Sequence, residues 1–354
     1  MYTIRDVARL AEVSTATVSF VINGKGKGKV SEESVQRVLT AMNALDYHPN
    51  QVARSLRVRQ THTIGVVIPD VTNPFFGEVM MGIQDEARKL GYSVLFCNTN
   101  EDPDLERQHL DTLHARRVDG VLISSHILRP GEGRLVKRRC PMVFFDRTPP
   151  DFSGAAVVTD NLAASKEVVR HLIKLGHTRI AIITGPLNLS ICAARLEGFR
   201  QALQEAVLPL SNEYLRYGDF KLDGGYHKGR ELMQLPTPPT AIFCCNNKMT
   251  LGLMRALSEL SIPCPERVSV VGFDDFEWVA SFRPYLTTVA QPTYLMGQRA
   301  TEMLVRMMQQ GLTEPNDLMG RVVVLTNELR IRQSTAPPCS PLAVAGHLVR
   351  SSQE

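Results

Sequence analysis

Apolar and polar positions change their rhythm three times along the chain. Residues 3–23 carry two short apolar sets at the helical period: Ile4, Val7, Ala8 and Ala11, then Val18, Val21 and Ile22. Thr3 stands as N-cap before the first helix, with Asp6 at the third helical position of a capping box. A break at Glu12-Val13 leads to Ser14, the N-cap of the second helix. The other face of that helix is small and hydroxylated: Thr15, Ala16, Thr17 and Ser19. Two short helices across such a break predict a helix-turn-helix, whose second helix fits a major groove about 12 Å wide. The plainer alternative is a three-helix domain with ordinary caps. A third helix starts at Ser31, with Glu32 and Glu33 at its positive dipole end and Val35, Val38, Leu39, Met42 and Leu45 as its buried face.

Pro49-Asn50 closes this unit. Asn50 caps a short helix over 51–58, too short to stand alone in water, so a partner or DNA must hold it. From Thr63 onward, apolar runs alternate with helical stretches. Strands are predicted over 63–69, 93–97, 120–124, 142–146, 156–159, 179–184, 241–244, 268–273 and 322–326. Helices are predicted over 75–90, 104–116, 161–175, 191–207, 247–260 and 292–310. Such alternation means parallel sheets covered by helices, and the stretch is too long for one sheet. Two similar lobes are expected, with the chain changing lobe near Thr159-Asp160 and returning at Gln291-Pro292. The tail after Arg332, with Pro337-Pro338 and Ser340-Pro341, reads as disordered, and it lacks the leucine heptads of a tetramerising coiled coil. The expected domains are 1–48, 49–61 as hinge and linker, 62–335, and a tail over 336–354.

Composition narrows the function classes. At 44% apolar and 21% charged the chain is an ordinary globular protein. It has no apolar run long enough for a membrane span and no basic, apolar leader, so a cytoplasmic protein without membrane partners is expected. Seven cysteines at scattered positions imply reduced thiols, and no His/Cys set has metal-ligand spacing. The charge is uneven. Residues 1–60 hold nine Lys/Arg against five Asp/Glu, and the remainder holds 31 of each. The whole excess of +4 therefore sits in the first sixth of the chain, as in a phosphate-binding module on a neutral body. The Gly-Lys loop over 24–29 adds three of those charges; a solvated loop is the simpler reading and phosphate contact the other. Walker A, Gly-x-Ser-x-Gly and paired metal ligands are all lacking, and the glycines at 224, 225 and 229 follow no phosphate-loop spacing. No enzyme, cofactor or metal is implied.

With these features in view, the chain resembles the lactose/galactose-repressor family of bacterial transcription regulators from about Thr3 to Thr335. The resemblance rests on Thr3-Ile4-Arg5-Asp6-Val7-Ala8, Thr17-Val18-Ser19, Tyr47-His48-Pro49-Asn50 and Ala53-Arg54-Ser55-Leu56. It continues through Asn73-Pro74-Phe75-Phe76, Val118-Asp119-Gly120, Leu175-Gly176-His177, Arg195-Leu196-Glu197-Gly198-Phe199 and Gly272-Phe273-Asp274-Asp275. The ribose-repressor branch is most similar, through 54–65 and 91–98. The resemblance implies an N-terminal all-α helix-turn-helix domain plus hinge helix. These join an α/β two-lobe body like periplasmic sugar-binding proteins, with three crossings and a ligand in the cleft.

It further implies a homodimer that binds pseudo-palindromic double-stranded operator DNA, most naturally as a repressor, under the control of a small sugar-like effector. Thr15, Ala16 and Phe20 fall on base-reading positions, beside Thr17. Thr3, Ser14, Ser19, Asn23 and Tyr47 fall on backbone-contacting positions, suited to hydroxyls and amides that bond phosphate oxygens. Phe20 departs from the usual arginine or histidine and offers a base only apolar contact. In the hinge, the resemblance assigns DNA contact to Asn50, Ala53, Leu56 and Arg57, with Leu56 wedging into the central base step. For the cleft it picks Asn73, Phe75, Phe76, Asp146, Arg147, Arg195, Phe220, Asn246, Asp274 and Gln291. Aromatic faces suit a sugar ring, and carboxylates, amides and guanidiniums suit its hydroxyls. Phe75 and Phe76 serve a core equally well, Asp275 reads first as structural, and Arg195 has a second reading as a brace for the loop after Gly185-Pro186. Arg147 and Arg195 leave a phosphosugar or sugar acid open. Leu189 and Ile191, at positions that are polar in the purine-binding branch, speak against a purine. A sugar receptor without a DNA role is the remaining alternative.

Overall fold

The computed structural model describes residues 2–23, 29–48, 60–125, 140–149, 154–311 and 322–339. The chain forms two compact units, Met1–Thr61 and His62–Glu354. The first contains helices α1 (Ile4–Leu10), α2 (Thr15–Ile22) and α3 (Glu32–Ala44). Its start is fixed as the sequence suggests: the Thr3 backbone N–H and hydroxyl both donate to Asp6 Oδ2, at 2.9 and 2.8 Å. The turn between α1 and α2 passes through Glu12 in the left-handed region, φ 52°. Ser14 then caps α2 by accepting from the Thr17 N–H at 3.1 Å. Val7, Ala8, Ala11, Val18, Val38 and Ala41 form the core where the three helices meet. One expectation fails here. Leu39 is exposed, and Ala41, outside the expected face, is buried with Val38.

The second unit has two six-stranded sheets. The first contains β1 (Thr63–Ile68), β2 (Ser93–Asn98), β3 (Gly120–Ile123), β4 (Met142–Phe145), β5 (Ala156–Thr159) and β11 (Val322–Leu325). Their order is β11-β5-β4-β3-β1-β2, all parallel. The second contains β6 (Ile180–Thr184), β7 (Leu215–Tyr217), β8 (Ala241–Cys244), β9 (Ser269–Phe273), β10 (Thr287–Ala290) and β12 (Glu328–Arg330), ordered β12-β10-β9-β8-β6-β7. Only β12 runs antiparallel, against β10. Helices cover both faces of each sheet, which explains why inner strands such as β1, β3, β4, β6 and β8 are apolar runs without alternation. Among them are α4 (Pro74–Lys89) and α5 (Pro103–Ala115) in the first lobe, and α6 (Asn161–Lys174) and α7 (Ser190–Glu205) in the second. The second lobe adds α8 (Leu222–Met233) and α9 (Asn247–Glu259); α10 (Thr293–Gln309) returns to the first lobe and packs on α4.

The chain crosses between lobes after Thr159, after Ala290 and between Leu325 and Glu328. The crossings bond to one another. Thr159 Oγ1 donates to Gln291 Oε1 at 2.7 Å, and Asn327 Nδ2 donates to the Asp160 carbonyl at 3.2 Å.

Periodicity did not reveal β7, α8, β10 or β12. Three of the four are strands of three or four residues, too short for a pattern. Helix α8 is hidden by Gly224, Gly225 and Gly229, residues that argue against a helix on propensity. Tertiary packing overrides propensity here, because α8 and α9 approach almost backbone to backbone. A Cβ on Gly225 would sit 2.0 Å from the Met249 carbonyl oxygen, and one on Gly252 would sit 1.9 Å from that of Leu222. The tail expectation is also corrected for residues 333–339. Ser334 is fully buried, its hydroxyl donates to the Val270 carbonyl at 2.6 Å, and His177 Nε2 lies 2.9 Å from the Ala336 carbonyl.

Gly252→Ala should therefore cost about 1–3 kcal/mol, the scale of overpacking in a tight interface. Urea unfolding of the full chain measures it. Parent-like stability would mean that α8 and α9 are not in such close register.

Candidate functional site

Two surfaces gather the residues that carry chemistry. The first is the exposed side of α2. Thr15, Ala16, Phe20 and Asn23 are exposed there, and Thr17 and Ser19 are half-buried. Thr17 Oγ1 lies 2.9 Å from Ser14 Oγ, and Asn23 Nδ2 donates to the Ser19 carbonyl at 2.6 Å, so the polar side chains are ordered by local bonds. Thr3 is exposed at the start of α1, whereas Tyr47 is half-buried and packs on the three-helix core. Phe20 is 38% exposed and carries Lys29 Nζ 5.8 Å above its ring. Asn50, Ala53, Leu56, Arg57 and the loop over 24–28 lie outside the described residues.

The second surface is a cleft of about 270 Å³ between the lobes. All ten cleft residues picked from the sequence line it, with Ile191 as an eleventh. The topology explains why they meet. Asn73, Asp146, Arg147, Phe220, Asn246, Asp274 and Gln291 follow the C-terminal ends of β1, β4, β7, β8, β9 and β10, where open α/β sheets leave a crevice. Phe75 and Phe76 sit on the first turn of α4, ring centroids 5.0 Å apart and edge to face. They do both jobs: they belong to the core of the first lobe and line the cleft.

The backbone is forced at three cleft positions. Asp146, Phe220 and Asp274 have φ of 59°, 62° and 76°, in the left-handed region that side chains with a Cβ avoid. Such strain persists only where the surroundings impose it, and it tends to gather at ligand sites.

Each charged group already has protein partners. Arg147 bonds Glu101 through Nη1 and Nη2 at 3.2 and 3.3 Å, and its Nε lies 3.6 Å from Asp146 Oδ2. Its guanidinium also lies 5.0 Å from the Phe220 ring centroid. Arg195 Nε donates to Asn161 Oδ1 and its Nη1 to the Cys245 carbonyl, both at 2.7 Å. The same guanidinium stacks 3.6 Å from the Phe273 centroid. Arg195 thus ties the first crossing to the end of β8, and its reading as a brace for the loop after Gly185-Pro186 is corrected. Gln291 Nε2 donates to Asp274 Oδ1 at 2.7 Å, while Asn73 and Asn246 cap α4 and α9 with their side-chain oxygens. Asp275 faces away from this set. It pairs with Arg332 and Arg330 and accepts from Thr288, which fastens the last strand to β10.

Burial raises the Asp146 carboxyl from its ordinary 3.8 to about 6, against the pull of Arg147 and Arg195. Burial also raises Asp274, against Arg195 and the Gln291 bond.

The sequence reading missed the bonds that bridge the lobes at the cleft mouth. Lys248 Nζ, on α9, reaches Asp70 Oδ2 at 2.7 Å and Thr72 Oγ1 at 2.5 Å on the loop after β1. Asn247 Nδ2 donates to Asn73 Oδ1 at 2.8 Å, and Ser190 Oγ to the Thr148 carbonyl at 3.2 Å. Burial alone would raise Asp70, but its bonds from Lys248 and Thr72 prevail and hold it below its ordinary value. No local signal marks partners 178 residues apart. Trp278, the single tryptophan, also joins the lobes: it follows β9 of the second lobe yet packs with Phe276 on the core of the first.

Among the described residues no group of His, Cys, Asp or Glu is arranged to hold a metal ion, and no helix is long and apolar enough to cross a membrane.

Comparison with known proteins agrees with this geometry. Residues 3–50 match the family of bacterial regulatory proteins of the lacI type, and residues 169–335 match a periplasmic binding protein-like domain. The ribose operon repressor of Escherichia coli (strain K12) is 38% identical over 313 residues, covering 88% of this chain and 94% of the relative. The HTH-type transcriptional repressor PurR of Vibrio vulnificus is 36% identical over 307 residues, covering 86% and 91%. The crystal structure of the Lac repressor dimer bound to operator and the anti-inducer ONPF superposes with a TM-score of 0.84 at 29% identity, covering 95% and 99%. The chain belongs to the lacI family of bacterial regulatory proteins.

Asp146 gives a pH test. Its folded-state pKa lies above the unfolded one, so it favours folding at low pH, and that contribution is lost as pH rises from about 4 through about 6. Asp146→Asn should therefore gain on the parent by about 1–1.5 kcal/mol between pH 5 and pH 7.5. Thermal unfolding at both values decides it; a gap that does not widen means that the carboxylate is not held out of its ordinary range.

Proposed function

We propose that this lacI-family chain is a sequence-specific, dimeric DNA-binding transcriptional regulator, acting as a repressor, whose operator affinity is set by a neutral sugar in the interlobe cleft. The helix-turn-helix unit and the family carry the DNA-binding part. The observation that carries the effector part is the charge balance of the cleft. Asp146, Asp274 and Glu101 supply three carboxylates against the two guanidiniums of Arg147 and Arg195. Arg147, the cation that would grip a phosphate or acid, is already engaged by Glu101 and Asp146. An anionic effector would enter a site with no positive excess and displace those pairs. A polyhydroxylated ring asks only for hydrogen bonds, and strand-end carboxylates, amides and a phenyl face supply them. Ribose is the first candidate, because a relative of 38% identity is a ribose operon repressor. The apolar Leu189 and Ile191, both buried, favour a sugar over a purine.

The switch follows from the bonds between lobes. An effector bonded to Asp146 on one side and to Asp274 and Arg195 on the other has more to gain from closed lobes than from open ones, so it adds to Lys248–Asp70 and Asn247–Asn73. The link from that motion to DNA rests on the resemblance alone, which assigns it to the hinge residues Asn50, Ala53, Leu56 and Arg57, outside the described residues. The protein works in the cytoplasm and turns over none of these sugars.

Two measurements test this. Free ribose and other neutral pentoses or hexoses should raise the unfolding temperature and change the fluorescence of Trp278, while sugar phosphates, uronic acids and purines at equal concentration should not. A larger response to a phosphate or an acid would overturn the charge argument, and turnover of a sugar would reopen an enzymatic reading. Asp274→Ala should weaken binding of the responsive sugar by about 1–3 kcal/mol, from lost hydrogen bonds, and leave operator affinity unchanged. Unaltered calorimetric affinity would remove Asp274 from the site. Operator binding should also fall steeply with salt, as expected for a module holding all of the chain's excess charge.

A further inference from the structure

We propose that Lys29, seated on the ring of Phe20, reads a guanine of the operator, so that two residues from different elements form one specificity determinant. The inference rests on the DNA-binding reading above and concerns how sequence is recognised.

Helix α2 has no charged residue: it reads Thr-Ala-Thr-Val-Ser-Phe-Val-Ile. Its exposed side offers the hydroxyl of Thr15, the methyl of Ala16, the phenyl ring of Phe20 and the amide of Asn23 at its end. A phenyl ring carries no donor, and guanine presents two acceptors, O6 and N7, in the major groove. The missing donor arrives from outside the helix. Lys29 Nζ lies 5.8 Å from the centroid of Phe20, within range of the attraction between a cation and an aromatic face. The side chain is exposed and makes no ion pair among the described residues, so its three N–H donors remain available.

Lys29 is also anchored along the chain. It precedes by two residues the Ser31 cap of α3, whose Oγ accepts from the Ser34 N–H at 3.3 Å. The backbone on its C-terminal side is thus fixed by α3, and the ammonium is steered by α2. Ordering a flexible lysine before binding reduces the entropy lost when it meets a base. A lysine that only neutralises backbone phosphate needs no such seat. The ring that seats Lys29 is one helical turn beyond Ala16, on the same exposed side of α2 as the base-reading candidates Thr15 and Ala16, whereas the hydroxyls of Thr3 and Ser14, suited to phosphate, stand at the helix caps.

The test is selection of bound sequences from a randomised duplex pool with the full-length chain, with Lys29→Met, with Phe20→Leu and with the double variant. The parent should enrich a pseudo-palindrome with guanine at one symmetric pair of positions. Both single variants should lose the preference at that pair and keep the others. On the parent's selected duplex each should bind about tenfold more weakly, and the double variant little worse than either. If Lys29→Met keeps every base preference and lowers the log–log salt slope by about 0.9 per protomer, Lys29 holds phosphate and the proposal fails. It fails as well if only Phe20→Leu changes the preference, or if the two losses add. A parent that enriches no sequence would instead refute the DNA-binding reading, a distinct result from enrichment that the variants leave untouched.

Discussion

The second unit depends on one amide. Gln291 accepts from Thr159 with its oxygen and donates to Asp274 with its nitrogen, both at 2.7 Å. Thr159 ends the strand at the first crossing and Gln291 begins the second, so a single side chain joins two of the three connections between the lobes and fastens both to the cleft. Arg195 repeats the device from the other side. It holds Asn161, just past the first crossing, and the Cys245 carbonyl at the end of β8. Any ligand that bonds Asp274 or Arg195 therefore alters groups that also hold the crossings. In a two-lobe protein the crossings are the hinges, and relative motion of the lobes is decided there.

The cost of this arrangement is a set of buried charges. Asp146, Arg147, Arg195 and Asp274 are each at least 95% buried. Isolated, each would be strongly unfavourable; paired, they roughly offset their desolvation and gain little net stability. Their value lies in direction. Asp146 and Asp274, held at left-handed backbone positions, and the bonded guanidiniums beside them are fixed groups that need little rearrangement to meet a ligand. The raised carboxyl of Asp146 is the visible remainder of that cost.

Most of this was legible in the sequence, for identifiable reasons. Parallel strands announce themselves as apolar runs, so the strand ends where a crevice forms were within reach of pattern reading, while the choice of Asp146, Asn246 and Asp274 at those ends came from the family resemblance. Helix caps were legible because Thr3-Asp6 and Ser14-Thr17 act within three residues. What stayed hidden was nonlocal. Helix α8 lies tight against α9 because Gly225 and Gly229 let it approach, which no property of its own segment reveals. The burial of Ser334 depends on β9, and Lys248–Asp70 pairs residues 178 apart. Leu39 had the right spacing for a buried face, but the buried stripe of α3 runs through Val38 and Ala41 and leaves it exposed.

The interlobe bonds also limit how the switch works. A ligand shifts a two-state equilibrium only by its difference in affinity for the two states. Lys248–Asp70, Asn247–Asn73 and Ser190–Thr148 already join the lobes through protein groups, so closure does not rely on the effector alone. What the effector adds must come from groups on opposite walls, Asp146 against Asp274 and Arg195. One or two hydrogen bonds made only when the walls are close supply about 1–3 kcal/mol, which is the usual size of an allosteric coupling. A neutral ring suits that role. On the proposed reading it would bond both walls without disturbing the Glu101–Arg147 pair that holds one of them together, whereas an anion would spend its binding energy on breaking that pair.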